Sequence, residues 1–397
     1  MQPEEIDQKQ EVLKFDQDKI IQELSTAAEK LLEQASWISN INIQNKKQER
    51  KRFKKAREKE ENFKPNFEYS KTSYDEEKLL ELIEQCIEAV KLIEEDNLEK
   101  YGAKKLTSQE MQNFFQEIFQ ELKLYTKLAA NIEDEGSWRR YSEEIWSMVG
   151  EETVQDSLQK LQELEKEELE ENISPEELRD MFEAEVERLG MDYQVELREV
   201  SGCFNIPEKE TVVVSKGEDS QRMYSEEEAR MLTKHELFHA ARAYNGFKAG
   251  QKSGFPKILG LHTPFYDRAE EGGALYREEA TGTAYKNKAF DYHLRLVAAY
   301  KISQSENYRE DFQEIVEELI ELGGSVDRSF YLVARNREAL RHHIYKAGRN
   351  DWKNIEDKDK MLIGKVNQEW ADKLEKEIGG MIKEPEITAD KLFNPSI

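Results

Sequence analysis

The stretch Lys234-His235-Glu236-Leu237-Phe238-His239-Ala240-Ala241-Arg242-Ala243-Tyr244-Asn245-Gly246 decides how this chain is read. Four positions apart on a helix, His235 and His239 project from one face, and their imidazoles can converge on a single ion. Glu236 lies about 100° round from His235, at the border of that face, where its carboxylate can reach a water without taking a metal position. A general base needs that placement.

The flanking residues support a buried helix. Ser225-Glu226-Glu227-Glu228 has the form of a capping box, Ala229, Leu232, Leu237, Ala240 and Ala241 are apolar, and Asn245-Gly246 predicts a left-handed stop. Two buried histidines beside a glutamate are costly unless something binds them. Catalytic zinc takes three protein ligands and keeps one open position, so a third donor has to come from elsewhere. The best supply is Asp267-Arg268-Ala269-Glu270-Glu271-Gly272-Gly273-Ala274-Leu275, where acids lead into a second helical stretch. Adjacent helical residues diverge by about 100°, so one of Glu270 and Glu271 faces the ion and the other can support it.

Together, KHELFHAARAYNG from Lys234 and the EEGGA that carries Glu271, 32 residues after His239, resemble the active-site pattern of the microtubule-associated tyrosine carboxypeptidase family. That family includes prokaryotic flavohaemoglobin-expression-modulating proteins with a QEGLA motif. Weaker matches follow in order: NFKPNFEYSK from Asn62, Gly102, Trp138 to Gly150, SVDRSFYLVARN from Ser325 and MLIGKVNQEWADKL from Met361, so that the resemblance runs from about Ser36 to the end. It implies His235, His239 and Glu271 as zinc ligands and Glu236 as the base that takes a proton from water and passes it to the leaving amine. In two places the chain departs from the pattern: family members space the histidines one residue wider, and the leucine of QEGLA is Gly273 here.

Peptide hydrolysis also needs a donor for the oxyanion. Tyr331, His342 and His343 are the candidates, expected on one helix from Asp327 to Ala347, and Tyr331 ranks first because it lies in a matching stretch. Recognition of a free C-terminal carboxylate suits the planar fork of arginine. Arg242 shares the helix face of both histidines and is the first candidate, with pairing to Glu270 as its other reading; Arg328 and Arg335 follow.

Bulk composition narrows the rest. A net charge of −25 argues against nucleic acid and anionic membrane as partners, and tubulin's acidic tails are not assumed as substrate. The local exception is the basic stretch Lys46 to Lys59, read as a solvated helix face or as a docking patch for an acidic partner. Two cysteines, Cys86 and Cys203, build no disulfide framework, and neither a leader nor a membrane span is legible, so a soluble cytoplasmic protein is expected.

Helices are expected from about Asp7 to Gln34, Glu76 to Glu95 and Ser108 to Ala129, with an acidic joint or helix end at Glu163 to Asn172. Ser174-Pro175-Glu176-Glu177 opens another helix that stops at Gly190; strands follow around Tyr193 to Arg198 and Thr211 to Val214. Val212 to Ser215 is the candidate for a strand at the cleft rim that pairs with extended substrate.

The fold expected is α+β, a mainly α-helical zincin-like metallopeptidase with a small β-sheet next to the H-E-x-x-H helix. Its parts are a helical extension (1–35), a helical N-terminal part (36–160) and a catalytic part (161–397). The expected activity is zinc-dependent removal of the C-terminal residue from peptides or proteins. The alternatives are a zincin-type endopeptidase or aminopeptidase, and a non-catalytic scaffold with a vestigial zinc site.

Overall fold

The computed structural model describes residues 13–35, 41–70, 75–100, 107–200, 202–217, 222–253, 257–260, 266–341, 343–378 and 385–394. Helices dominate its first half: α1 (Ile20–Ala35), α2 (Lys46–Glu58), α3 (Glu76–Val90), α4 (Glu95–Lys100), α5 (Ser108–Ala130), α6 (Glu135–Trp146) and α7 (Glu151–Glu163). Then come β1 (Glu171–Ile173), α8 (Pro175–Leu189), β2 (Gln194–Arg198), β3 (Phe204–Ile206), β4 (Thr211–Ser215) and β5 (Tyr224–Ser225). The remainder is helical: α9 (Glu226–Ser253), α10 (Tyr266–Ala280), α11 (Lys286–Gln304), α12 (Tyr308–Glu321), α13 (Val326–Glu338), α14 (Ile344–Asn354), α15 (Gln368–Ile378) and α16 (Ala389–Phe393). The chain is therefore α+β and mainly helical, and no helix among the described residues is long and apolar enough to cross a membrane.

Local chemistry sets several of these boundaries. Thr107 and Glu110 form a reciprocal capping box at the start of α5, and Ser174 with Glu177 does the same for α8, which has Pro175 at its first position and ends at left-handed Gly190. The stripe Met111, Phe114, Phe115, Ile118, Phe119 and Leu122 is buried in a core cluster that includes side chains from Ile20 to Leu392. Of the helix expected from Asp7 to Gln34, residues up to 12 lie outside the described residues and the rest forms α1. The acidic run after Glu163 leaves α7 and ends in β1, which pairs antiparallel with β5.

The larger sheet has the order β2-β4-β3, with β2 parallel and β3 antiparallel to β4. Residues 212–215 belong to β4, the central strand, whose five residues are all buried. They cannot serve as a rim for substrate, because both edges of β4 are already hydrogen-bonded. The outer strands of this sheet are β2 and β3.

The histidine helix α9 runs through Asn245-Gly246 rather than stopping there. A Cβ on Gly246 would stand 2.2 Å from the Leu259 carbonyl oxygen, so this glycine serves the close approach of the turn at Lys257–Gly260. Asn245 exchanges two hydrogen bonds of 3.0 Å with the backbone of Ile387, tying the helix to the C-terminal segment. A second glycine contact sets the packing of α10 on α14: a Cβ on Gly272 would meet Gly348 backbone carbon at 2.2 Å. Next to it, a Cβ on Gly273 would meet the Phe238 ring at 2.1 Å, so the leucine of the QEGLA pattern has no room beside Phe238 and Trp352.

The helix expected from Asp327 to Ala347 is broken. At Ala339 the backbone turns extended, with φ −147° and ψ 116°, and Arg341 reaches the buried Asp267 at 2.7 Å. In the basic helix α2 the cations are largely spent within the molecule: Lys46 pairs with Glu338, Arg52 with Glu49, Lys54 and Arg50 with Asp327, and Arg57 with Glu317.

Candidate metal centre

Helix α9 supplies His235 and His239, and α10, packed against it, supplies Glu271. One ligand atom from each lies within 4.8 Å of the other two; the Glu271 Oε2 is 3.4 Å from His235 Nε2 and 3.9 Å from His239 Nε2. The remaining ring nitrogens are held from behind. His235 Nδ1 is 2.6 Å from Glu278 Oε1, and His239 Nδ1 is 2.7 Å from Glu270 Oε2. A carboxylate accepting from Nδ1–H fixes the ring and leaves the Nε2 lone pair turned toward the common point. Two nitrogens, each backed in this way, and one carboxylate oxygen are a donor set suited to zinc.

Charge is balanced tightly around this point. Burial works against a charged His235, yet Glu271 and Glu278 outweigh it and raise the imidazole to about 10. Glu271 goes the opposite way, held well below the usual carboxylate range by both histidines against the opposing effect of burial. Glu236 stands beside them in the cleft, where burial pushes its carboxyl up against the pull of the two imidazoles.

The ligands open onto a cleft of about 430 Å³ walled by Phe204 and Asn205 of the edge strand β3 and by Tyr266, Tyr292 and Tyr345. Tyr345 comes one helical turn before Gly348, so the glycine contact between α10 and α14 is what lets it stand there. Both amide atoms of Asn205 are buried without a hydrogen-bond partner among the described residues.

Residues 51–336 match the family model of the microtubule-associated tyrosine carboxypeptidases. The chain belongs to that family. The matched segment is most of the chain and includes both histidines, Glu236 and Glu271, whereas Tyr345 and the stretch from Met361 lie beyond it. No curated protein and no solved structure matches. In this carboxypeptidase-family chain, His235, Glu236, His239 and Glu271 gather in one place, with Glu270 behind His239 and Arg335 in the lining of the same cleft, whereas Arg242, Tyr331, His343 and Arg328 do not line it.

Arg242 is the clearest correction. Its side chain is fully buried, 2.9 Å from Glu270 Oε1, with Nε and Nη2 donating to the carbonyls of Met361 and Val366. The arginine's fork is consumed by the protein interior, so it is not available to a substrate carboxylate. Tyr331 does not line the metal cleft; it lies in a neighbouring groove of about 700 Å³, with Lys46 Nζ 5.1 Å from its ring centre. The extended backbone at Ala339 separates α13 from α14, and it is Tyr345 of α14 that lines the cleft. His343 Nε2 lies 2.8 Å from the Trp146 carbonyl, and His342 is outside the described residues. Arg328 pairs with Asp291 at 2.8 Å, while Arg335 stands between the groove and the cleft, lining both.

Residues missed in the sequence include Glu278 and the α11 face of Lys288, Tyr292 and Arg295. Glu278 lies seven positions after Glu271, two turns along the same face of α10, which is the signal that could have marked it.

Proposed function

We propose that the protein is a zinc-dependent carboxypeptidase that removes the terminal residue from peptides or proteins. The observation that carries this reading is the convergence of His235, His239 and Glu271 on one point beside Glu236, in a chain of a carboxypeptidase family. Bound Zn²⁺ would supply a Lewis acid that acidifies water and polarises the peptide carbonyl. Glu236 takes the proton from water and delivers it to the leaving amine; a carboxyl pushed upward by burial is suited to both steps. Tyr345, whose phenol is raised by burial and stays protonated, is the donor aimed at the oxyanion. Extended substrate pairs along the outer edge of β3, where Phe204 is an exposed apolar side chain.

The scaffold alternative is disfavoured by the donor set, since a structural zinc fills four protein positions and has no use for a carboxylate such as Glu236. The free thiols of Cys86 and Cys203 favour a reducing, cytoplasmic setting. The test is mass spectrometry of a peptide library treated with zinc and either wild-type protein or Glu236→Gln. Wild type is expected to shorten peptides by one C-terminal residue; the variant should bind zinc and leave the peptides intact. Internal cleavage of C-terminally amidated peptides would move the reading to an endopeptidase.

A further inference from the structure

With Arg242 sealed in the interior, the first candidate for recognising a free C-terminus is lost, and Arg335 at the edge of the cleft stands within 3.9 Å of Glu338. Helix α11 offers another. Lys288, Tyr292 and Arg295 are spaced four and three residues apart, so they share one face of the helix, and all three line the metal cleft. Lys288 and Tyr292, together with Leu275 of α10, also line a second cavity of about 390 Å³, so these residues form the doorway between the two spaces. The second cavity has apolar walls at Leu275, Ala284 and Ala289 and an aromatic one at Tyr285, with charged side chains such as Asp156, Glu279 and Arg349 also in its lining, and its volume is that of a small-ligand pocket.

The cations of this face are uncommitted. Among the described residues, neither the Lys288 ammonium nor the Arg295 guanidinium has an ion-pair partner, and the Arg295 Nε is buried without a hydrogen bond. Other cations in the cleft have partners: Arg341 holds Asp267, Lys365 Nζ is 3.1 Å from the Tyr266 hydroxyl, and Arg335 Nη1 is 3.9 Å from Glu338 Oε2. Lys288 lines the same cleft as Glu236, and the charges of Glu278 and Glu236 act on its ammonium.

We infer that the terminal residue of the substrate is read at this doorway: Lys288, with Arg295 beside it, binds the α-carboxylate, and the second cavity receives the terminal side chain. The inference rests on the carboxypeptidase reading. The scissile nitrogen, the carboxylate and the side chain of a terminal residue all hang from one Cα. A group that holds the carboxylate therefore has to stand within one residue's width of both the reacting bond and the side-chain pocket. Lys288 meets both conditions, since it lines the cleft that holds Glu236 and also the second cavity.

The test uses the full chain loaded with zinc and carrying Glu236→Gln, so that binding is read without turnover. Fluorescein-labelled octapeptides ending in tyrosine, leucine or glycine, each as free acid and as amide, are titrated by fluorescence anisotropy. The free acid of the tyrosine peptide is expected to bind about ten- to a hundredfold better than its amide, the range of a lost charge-assisted hydrogen bond. Adding Lys288→Gln should bring that ratio to within about threefold, and Lys288→Arg should restore most of it. Ala289→Phe, which fills the second cavity, should invert the order so that glycine-ending peptides bind better than tyrosine-ending ones.

An undiminished acid-to-amide ratio in Lys288→Gln overturns the inference, as does an unchanged order of side chains in Ala289→Phe. Hydrolysis by the wild-type protein separates the two levels. If wild type releases the terminal residue while either of those results is obtained, the doorway assignment fails and the carboxypeptidase stands. If it releases none from any of these peptides, both fall.

Discussion

Replacing Glu270 with glutamine probes the pair that supports the metal centre from behind. Glu270 and Arg242 are both fully buried and 2.9 Å apart, a separation at which two charges attract by about 6 kcal/mol at an effective dielectric constant of about 20. Arg242 would keep its hydrogen bonds to the carbonyls of Met361 and Val366, which recover part of that loss. A net destabilisation of about 3–5 kcal/mol is expected, the usual cost of leaving one buried charge without its partner. Arg242→Met should destabilise too. The double variant should be less impaired than the sum of the singles, by about 2–3 kcal/mol, because neither charge is then orphaned. Urea unfolding of the full chain with a chelator present measures stability without metal. Zinc affinity, measured separately, should fall about 10- to 100-fold in Glu270→Gln because His239 Nδ1 loses its carboxylate. A cost below about 1 kcal/mol for Glu270→Gln, or strictly additive singles, would refute the reasoning.

Three more outcomes are expected. Gly246→Ala, which in an open helix would be stabilising, should here destabilise by about 1–3 kcal/mol in urea because its Cβ meets the Leu259 carbonyl at 2.2 Å. Burial would raise the Glu185 carboxyl, but Arg188, Arg277 and Lys234 outweigh it and hold the group at about 2 rather than 4.5. This depressed value contributes on the order of 3 kcal/mol, fully present above about pH 4.5 and lost as pH falls toward 2; in Glu185→Gln the acid limb of stability, followed by thermal melting, should flatten. Tyr345→Phe should lower kcat about 10²- to 10³-fold with zinc content unchanged, and a kcat within threefold of wild type would remove it as the oxyanion donor.

How much could be read before folding depends on how local each signal is. His235, Glu236 and His239 lie within one turn and a half of helix, and Glu271 is the acid of a short motif, so spacing alone was enough to bring them together. Arg242 was legible in direction but not in depth, because the face of α9 that carries His235 and His239 continues into the protein interior. Gly246 was read as a stop since the residue that permits a left-handed turn also permits close backbone approach, and sequence does not distinguish the two. The strand at Thr211 was legible, its place in the sheet less so. Yet three consecutive valines without alternation are the pattern of a strand covered on both faces, which is where β4 lies. Tyr331 was misplaced by the turn at Ala339, and Glu278 and Lys288 draw their roles from the way α10 and α11 meet α9, a matter of tertiary packing.

X-ray absorption at the zinc edge of the full chain, loaded with one equivalent of Zn²⁺, tests the account at its centre. The expected result is a shell of nitrogen and oxygen neighbours at about 2.0–2.2 Å, with two imidazoles in it and a marked loss of bound zinc in His239→Ala. A sulfur neighbour at about 2.3 Å, or zinc bound equally well by wild type and His239→Ala, would contradict it.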